Sequence, residues 1–171
     1  MEREFTRTRE AEAPQINLYE FSYNKFAEAR RRAEEGRVVV KGNELPWQQS
    51  RQGYQKFFLV DQAITDTAVS RWFFFQMDVR VHTGRHRHQG GLSLYVLVGK
   101  GYTVVDGVRY DWEEGDLILL PVKPNGVEHQ HFNAEPGKPC KWMAMIYEPY
   151  MAATGSQMEQ RENVPEVAKH A

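Results

Sequence analysis

The sequence predicts an all-β domain, an antiparallel barrel or sandwich preceded by one helix, and three observations carry that expectation. The first is a series of short runs rich in β-branched and aromatic residues: VVV at 38–40, KFFLV at 56–60, VSRWFFFQMDVRV at 69–81, LSLYVLV at 92–98, YTVV at 102–105, DLILLP at 116–121 and CKWMAMIY at 140–147. Their lengths and spacing suit strands of a sandwich or barrel. The second is the punctuation between them: Gly99 and Gly101, Asp106-Gly107, Gly115-Asp116, Pro124-Asn125-Gly126 and Pro136-Gly137. The Asp106-Gly107 pair predicts a tight hairpin, because Gly accepts the positive φ that a tight primed turn requires. The third is that one segment alone has helical spacing. In residues 16–35, Leu18, Phe21, Phe26 and Ala29 can form an apolar stripe, and Gly36 follows as a stop.

Three segments result: an N-terminal arm and amphipathic helix over 1–36, the β-domain over 37–150, and a polar tail over 151–171. The tail loses the hydrophobic pattern, and both ends are expected to dock loosely. Arg30 to Arg32 read as a solvated face balanced by Glu28, Glu34 and Glu35.

At 171 residues the chain suits one domain, which buries about two-thirds of its unfolded surface without needing metal or disulfide to fold. A metal site would then serve function. With 22 basic and 23 acidic residues the net charge is −1, which argues against a nucleic-acid partner. No apolar run approaches the roughly 20 residues of a membrane helix. The single cysteine, Cys140, and the charged stretch MEREFTRTRE point to the cytoplasm.

Four of the six histidines fall in two pairs of identical spacing, His86 with His88 and His129 with His131. Residues two apart on a strand face the same way. One His-x-His pair can therefore aim two imidazoles at a point, and a histidine from a neighbouring strand can complete the grip. Imidazole suits zinc, copper, iron and nickel. A His-x-His in a basic run is also a common surface feature, so context decides.

The context is a resemblance to the cupin superfamily, over residues 56–148. Its first motif resembles His-x-His, three or four residues, Glu, six residues, Gly, and His86, His88 and Gly99 keep that spacing. Its second resembles Gly, five residues, Pro, a turn, Gly, two residues, His, three residues, Asn, which Gly115, Pro121, Gly126, His129 and Asn133 keep with a longer turn. The resemblance implies a jelly-roll β-barrel and a metal held by His86, His88 and His129. It also exposes a departure: the glutamate slot falls on Leu92, with Ser93 on the opposite face. Three neutral histidines leave a divalent ion its full charge and about three open positions on a six-coordinate metal, which favours anionic, chelating ligands.

Among cupins, this three-histidine pattern resembles the iron-dependent ring-cleaving dioxygenases of the gentisate type. That implies Fe(II), with Mn, Co, Ni, Cu and Zn as alternatives, and O₂ beside a small anionic substrate such as a hydroxylated aromatic acid. A lyase, decarboxylase or isomerase using the ion as Lewis acid is a second reading, and a non-enzymatic ligand-binding cupin a third. Counting back from His86, Arg80 has the parity to face the lumen and clamp a carboxylate. His131 shares the parity of His129 and is a candidate proton donor or acceptor. A homodimer is expected, with the segment containing Trp47 crossing to the partner.

Overall fold

The computed structural model describes residues 16–61, 63–155 and 158–168. After helix α1 (Leu18–Glu35), the chain runs through β1 (Gln48–Ser50), β2 (Gly53–Val60), β3 (Trp72–Asp78), β4 (Arg85–His88), β5 (Leu92–Val98) and β6 (Lys100–Val105). It continues through β7 (Val108–Glu113), β8 (Leu117–Leu120), β9 (Val127–Asn133), β10 (Lys141–Tyr147), α2 (Glu148–Ala153), β11 (Met158–Glu162) and α3 (Pro165–Ala168). Two antiparallel sheets face each other as a jelly roll: one ordered β1-β2-β3-β10-β5-β8, the other β11-β4-β9-β6-β7. The expected hairpin is present. Asp106 and Gly107 have φ of 48° and 84°, and Val105 pairs with Val108 across the turn.

Strand alternation decides what lies between the sheets. Met77, Leu94, Val96, Trp142 and Ala144 are buried there from the six-stranded sheet, with Val127 and Trp112 from the other. At about 25 cal/mol per Å² of apolar area removed from water, such residues are the main stabilising term. The intervening residues of β3, β5, β8 and β10 face outward.

Four expectations are corrected. The run VVV at 38–40 forms no strand, and Val38 and Val39 are exposed; a β-prone run without a pairing edge stays a loop. The tail is not loosely docked: β11 pairs with β4, setting Met158 opposite His88 and Gln160 opposite His86. Its polar sequence carried no alternation because an edge strand is held by its ladder and by side-chain contacts such as Arg85 with Glu162. Trp47 does not leave its own barrel; it stacks on Tyr54 at 5.2 Å, with the Lys56 ammonium 4.8 Å from its ring.

The fourth correction concerns α1. The arginine cluster divides: Arg31 pairs with Glu28 and Glu35 on the surface, whereas Arg32 is the helix's buried residue. Its guanidinium donates to the carbonyls of Thr67, Ile64 and Val69, to Thr67 Oγ1 and to Asp61 Oδ1, over 2.6–3.0 Å. A planar group with five N–H donors can satisfy such a loop where a lysine could not. The helix is thus rooted by one cation, while Leu18, Phe21 and Phe26 are exposed.

Candidate metal centre

β4 and β9 are neighbours, and their register places His86 directly opposite His129. Because the side-chain period is two, His88 shares the inward face with His86, and the ring centroids lie 5.3 Å (His86–His88), 4.2 Å (His86–His129) and 4.7 Å (His88–His129) apart. One nitrogen from each ring falls within 4.8 Å of the others. Burial pushes His86 and His88 down to about 4 and His129 well below its ordinary value, and the neighbouring rings add to the effect on His88 and His129. All three are neutral at neutral pH, with lone pairs available to a cation.

The residues fit a divalent ion in donor type and number. His129 Nδ1 faces the Val127 carbonyl at 3.5 Å, which suits a ring binding metal through Nε2. His88 differs. Its Nδ1 accepts the Gly90 N–H at 2.9 Å, so Nε2 carries the proton, and coordination through Nε2 requires that contact to open.

The cluster opens on a cavity of about 370 Å³ between the sheets. Phe57, Phe73, Phe75, Leu94, Trp142 and Ile146 make its apolar wall, and Met158 of β11, Met151 of α2, Ser50 of β1 and Arg51 and Gln52 of the β1–β2 turn also line it. Leu92, which holds the glutamate slot of the motif, lines the cavity, and no carboxylate is present in the lining. Ser93 lies on the outer face, as its parity requires.

His131 also lines the cavity. Its ring centroid is 5.3 Å from that of His129, and burial pushes it down to about 3. Trp112 Nε1 donates to Thr103 Oγ1 at 2.9 Å, and that hydroxyl lies 2.7 Å from His131 Nδ1. Thr103 is fully buried, and His131 Nδ1 is the acceptor within its hydroxyl's reach. The threonine therefore donates, and the proton of neutral His131 sits on Nε2.

Arg80 is not part of this site. It is exposed, with its guanidinium carbon 4.3 Å from the centre of the Tyr54 ring. Between β3 and β4 the chain crosses from one sheet to the other, so alternation counted back from His86 does not carry through. Asn133, matched by the second motif, secures this crossover by donating to the carbonyls of Val79 and Arg80. Among the residues that line the cavity the basic one is Arg51, an exposed turn residue that sequence reasoning missed because nothing in its neighbourhood singles it out. Gln89 and Gln130 turn away from the cluster, donating to the carbonyls of Met151 and Thr83.

A jelly roll with a histidine cluster inside one end defines a class of small metal-binding barrels. Comparison with known proteins gives the class its name: the cupin-domain family matches residues 73–146, the segment that holds both histidine pairs, and the fold is the cupin jelly roll. A curated relative, 5-aminosalicylate 1,2-dioxygenase of Comamonas sp, is 31% identical over 83 residues, 48% of this chain. The match spans 21% of that protein's length. Among solved structures, a predicted oxalate decarboxylase from Thermotoga maritima aligns with TM-score 0.51 and 18% identity over 65% of this chain and 99% of its own. The polyketide cyclase RemF from Streptomyces resistomycificus aligns with TM-score 0.52 and 18% identity over 75% of this chain and 85% of its own. At such identities these two structures speak for the fold alone. Among the described residues, no helix is long and apolar enough to cross a membrane.

Proposed function

We propose that this protein is an Fe(II)-dependent dioxygenase that cleaves a carbon–carbon bond of a small anionic chelator, a hydroxylated aromatic acid in type. The observation that carries the reading is a histidine-only cluster, with Leu92 in the fourth place, opening on an aromatic-walled cavity. The partial relationship to an aminosalicylate dioxygenase supports it. His86, His88 and His129 hold the metal; when bound, it supplies a path for electrons between a chelated substrate and dioxygen.

The remaining residues bind and orient. Phe57, Phe73 and Phe75 give a planar substrate a surface and keep water out. Arg51, which lines the cavity, receives a carboxylate, taking the part that parity assigned to Arg80. His131 presents a fixed Nε2–H to a substrate oxygen. The buried, unpaired Cys140 fits a reducing compartment such as the cytoplasm.

The test is metal analysis of freshly purified protein, with oxygen uptake measured against catechols, gentisate-like acids and diketones. Iron with one O₂ consumed per substrate is expected. Full turnover under anaerobic conditions, or with zinc alone, would sink the dioxygenase and leave a lyase or isomerase using the ion as a Lewis acid.

A further inference from the structure

The wall of the cavity that faces the histidines is almost uniform in chemistry. Among the described residues, those that β2, β3, β5 and β10 turn into the cavity are apolar or aromatic with one exception, Gln55. Strand alternation puts it there: Gly53, Gln55 and Phe57 share the inward face of β2, while Tyr54 and Lys56 meet Trp47 on the outside. Gln55 is held in mid-ladder, between Gln48 of β1 and Met77 of β3, and is 5% exposed.

Burying an amide is unfavourable unless its oxygen and its N–H groups find partners. Gln55 is paired on one side only. The Ser50 hydroxyl accepts the Gln52 N–H at 3.0 Å and donates to Gln55 Oε1 at 2.5 Å, so the amide is held by its oxygen. Its Nε2, which carries the donors, has no partner among the described residues and keeps surface open to the cavity it lines. The hairpin does not depend on this amide, because the Ser50 proton has the Gly53 carbonyl within 3.2 Å as a second acceptor. A hydrocarbon would match the surrounding wall better. His86, His88 and His129 line the same cavity from the opposite sheet.

We propose that Gln55 selects the substrate: its Nε2–H donates to an oxygen that the substrate carries away from its metal-chelating pair. The cavity then takes a chelator bearing a further carbonyl or hydroxyl oxygen on its ring and discriminates against the analogue that lacks it. A site built to pair with a polar group rejects the ligand without that group, since its own buried donor is then left unpaired. The assignment rests on the proposed function in one respect, that the clustered histidines hold a metal which an aromatic substrate chelates. Ser50 is the positioning residue, fixing which end of the amide faces the ligand.

Anaerobic calorimetric titration of the zinc-loaded full-length protein tests this, because binding is then read apart from any oxygen chemistry. The probes are acetylcatechols and the ethylcatechols of matching shape, which differ by one carbonyl oxygen. Each substitution is scored within one ligand, so the unequal acidity of the two catechols cancels. Gln55→Leu should weaken the acetyl compound about 5-fold, the value of one uncharged hydrogen bond, and leave the ethyl compound within about 2-fold. Ser50→Ala should show the same preference at smaller size. The melting temperature of Gln55→Leu should equal or exceed that of the unsubstituted protein, since an incompletely paired amide gives way to hydrocarbon in an apolar wall. Equal weakening of both ligands, unchanged affinity for both, or earlier melting without discrimination between them would make Gln55 a structural residue and overturn the proposal. Turnover without oxygen would overturn the dioxygenase and leave this assignment standing.

Discussion

The two His-x-His pairs have the same spacing, sit on adjacent antiparallel strands and face the same cavity, yet they come to different ends. On β4, both rings join the cluster. On β9, His129 joins it, while His131 is captured two residues further on by Thr103 of β6, with which it is in register. The difference lies in the neighbours. β4 has β11 on its other side, whose facing residues Met158 and Gln160 make no hydrogen bond to the rings of His88 and His86. β9 has β6, which offers a hydroxyl already fixed by Trp112. An identical motif thus puts both rings of one strand into the cluster, and on the other strand one ring into the cluster and one against a hydroxyl.

The largest expected effect tests this division. His129→Ala should remove a ligand and weaken metal binding beyond the 10–100-fold typical of losing a supporting partner, with activity lost in parallel. His131→Ala should keep the metal while lowering turnover by roughly 10²–10⁴-fold, the range of a positioned proton donor. Metal titration of both variants, followed by kcat, separates them. If His131→Ala loses metal as His129→Ala does, the two rings are equivalent.

The contrast was partly legible in the sequence. Spacing to Gly126 and Asn133 singled out His129 over His131, and the count from His88 to Gly99 placed Leu92 in the empty slot, because strand periodicity and turn glycines are local properties. What failed to show was non-local. Arg51 comes to the cavity because a two-residue hairpin between β1 and β2 carries it there, and Arg80 leaves because the chain changes sheets. The polar strand β11 announces itself through backbone pairing, to which side-chain pattern is blind. Arg32 reads as surface charge until the carbonyls of Thr67, Ile64 and Val69 converge on it.

A smaller effect separates the two arginines. Arg51→Ala should raise KM for a carboxylate substrate by about 10-fold, the value of one or two charge-assisted hydrogen bonds at a partly exposed site, with kcat little changed. Arg80→Ala should leave both constants within error, since its guanidinium lies over Tyr54. Steady-state kinetics with an acid and its uncharged amide reads the difference directly. An equal KM effect on acid and amide would remove Arg51 from substrate binding.

The smallest effect concerns the group that sets His131 apart. Thr103→Val keeps the side-chain volume but removes the hydroxyl proton donated to His131 Nδ1, so the ring's proton is free to move to Nδ1 and the fixed donor at Nε2 is lost. A several-fold to about 10-fold fall in kcat with little change in KM is expected, because one hydrogen bond of this kind is worth on the order of 1 kcal/mol. Thr103→Ser restores the hydroxyl and should restore kcat. A merely structural role would lower thermal stability without that rescue pattern, because both substitutions disturb the packing beneath Trp112. Metal content should stay constant across the series, since Thr103 touches His131 and none of the three clustered rings. If Thr103→Val loses metal instead, the β6 strand supports the whole cluster, and the division between the two pairs is one of distance alone.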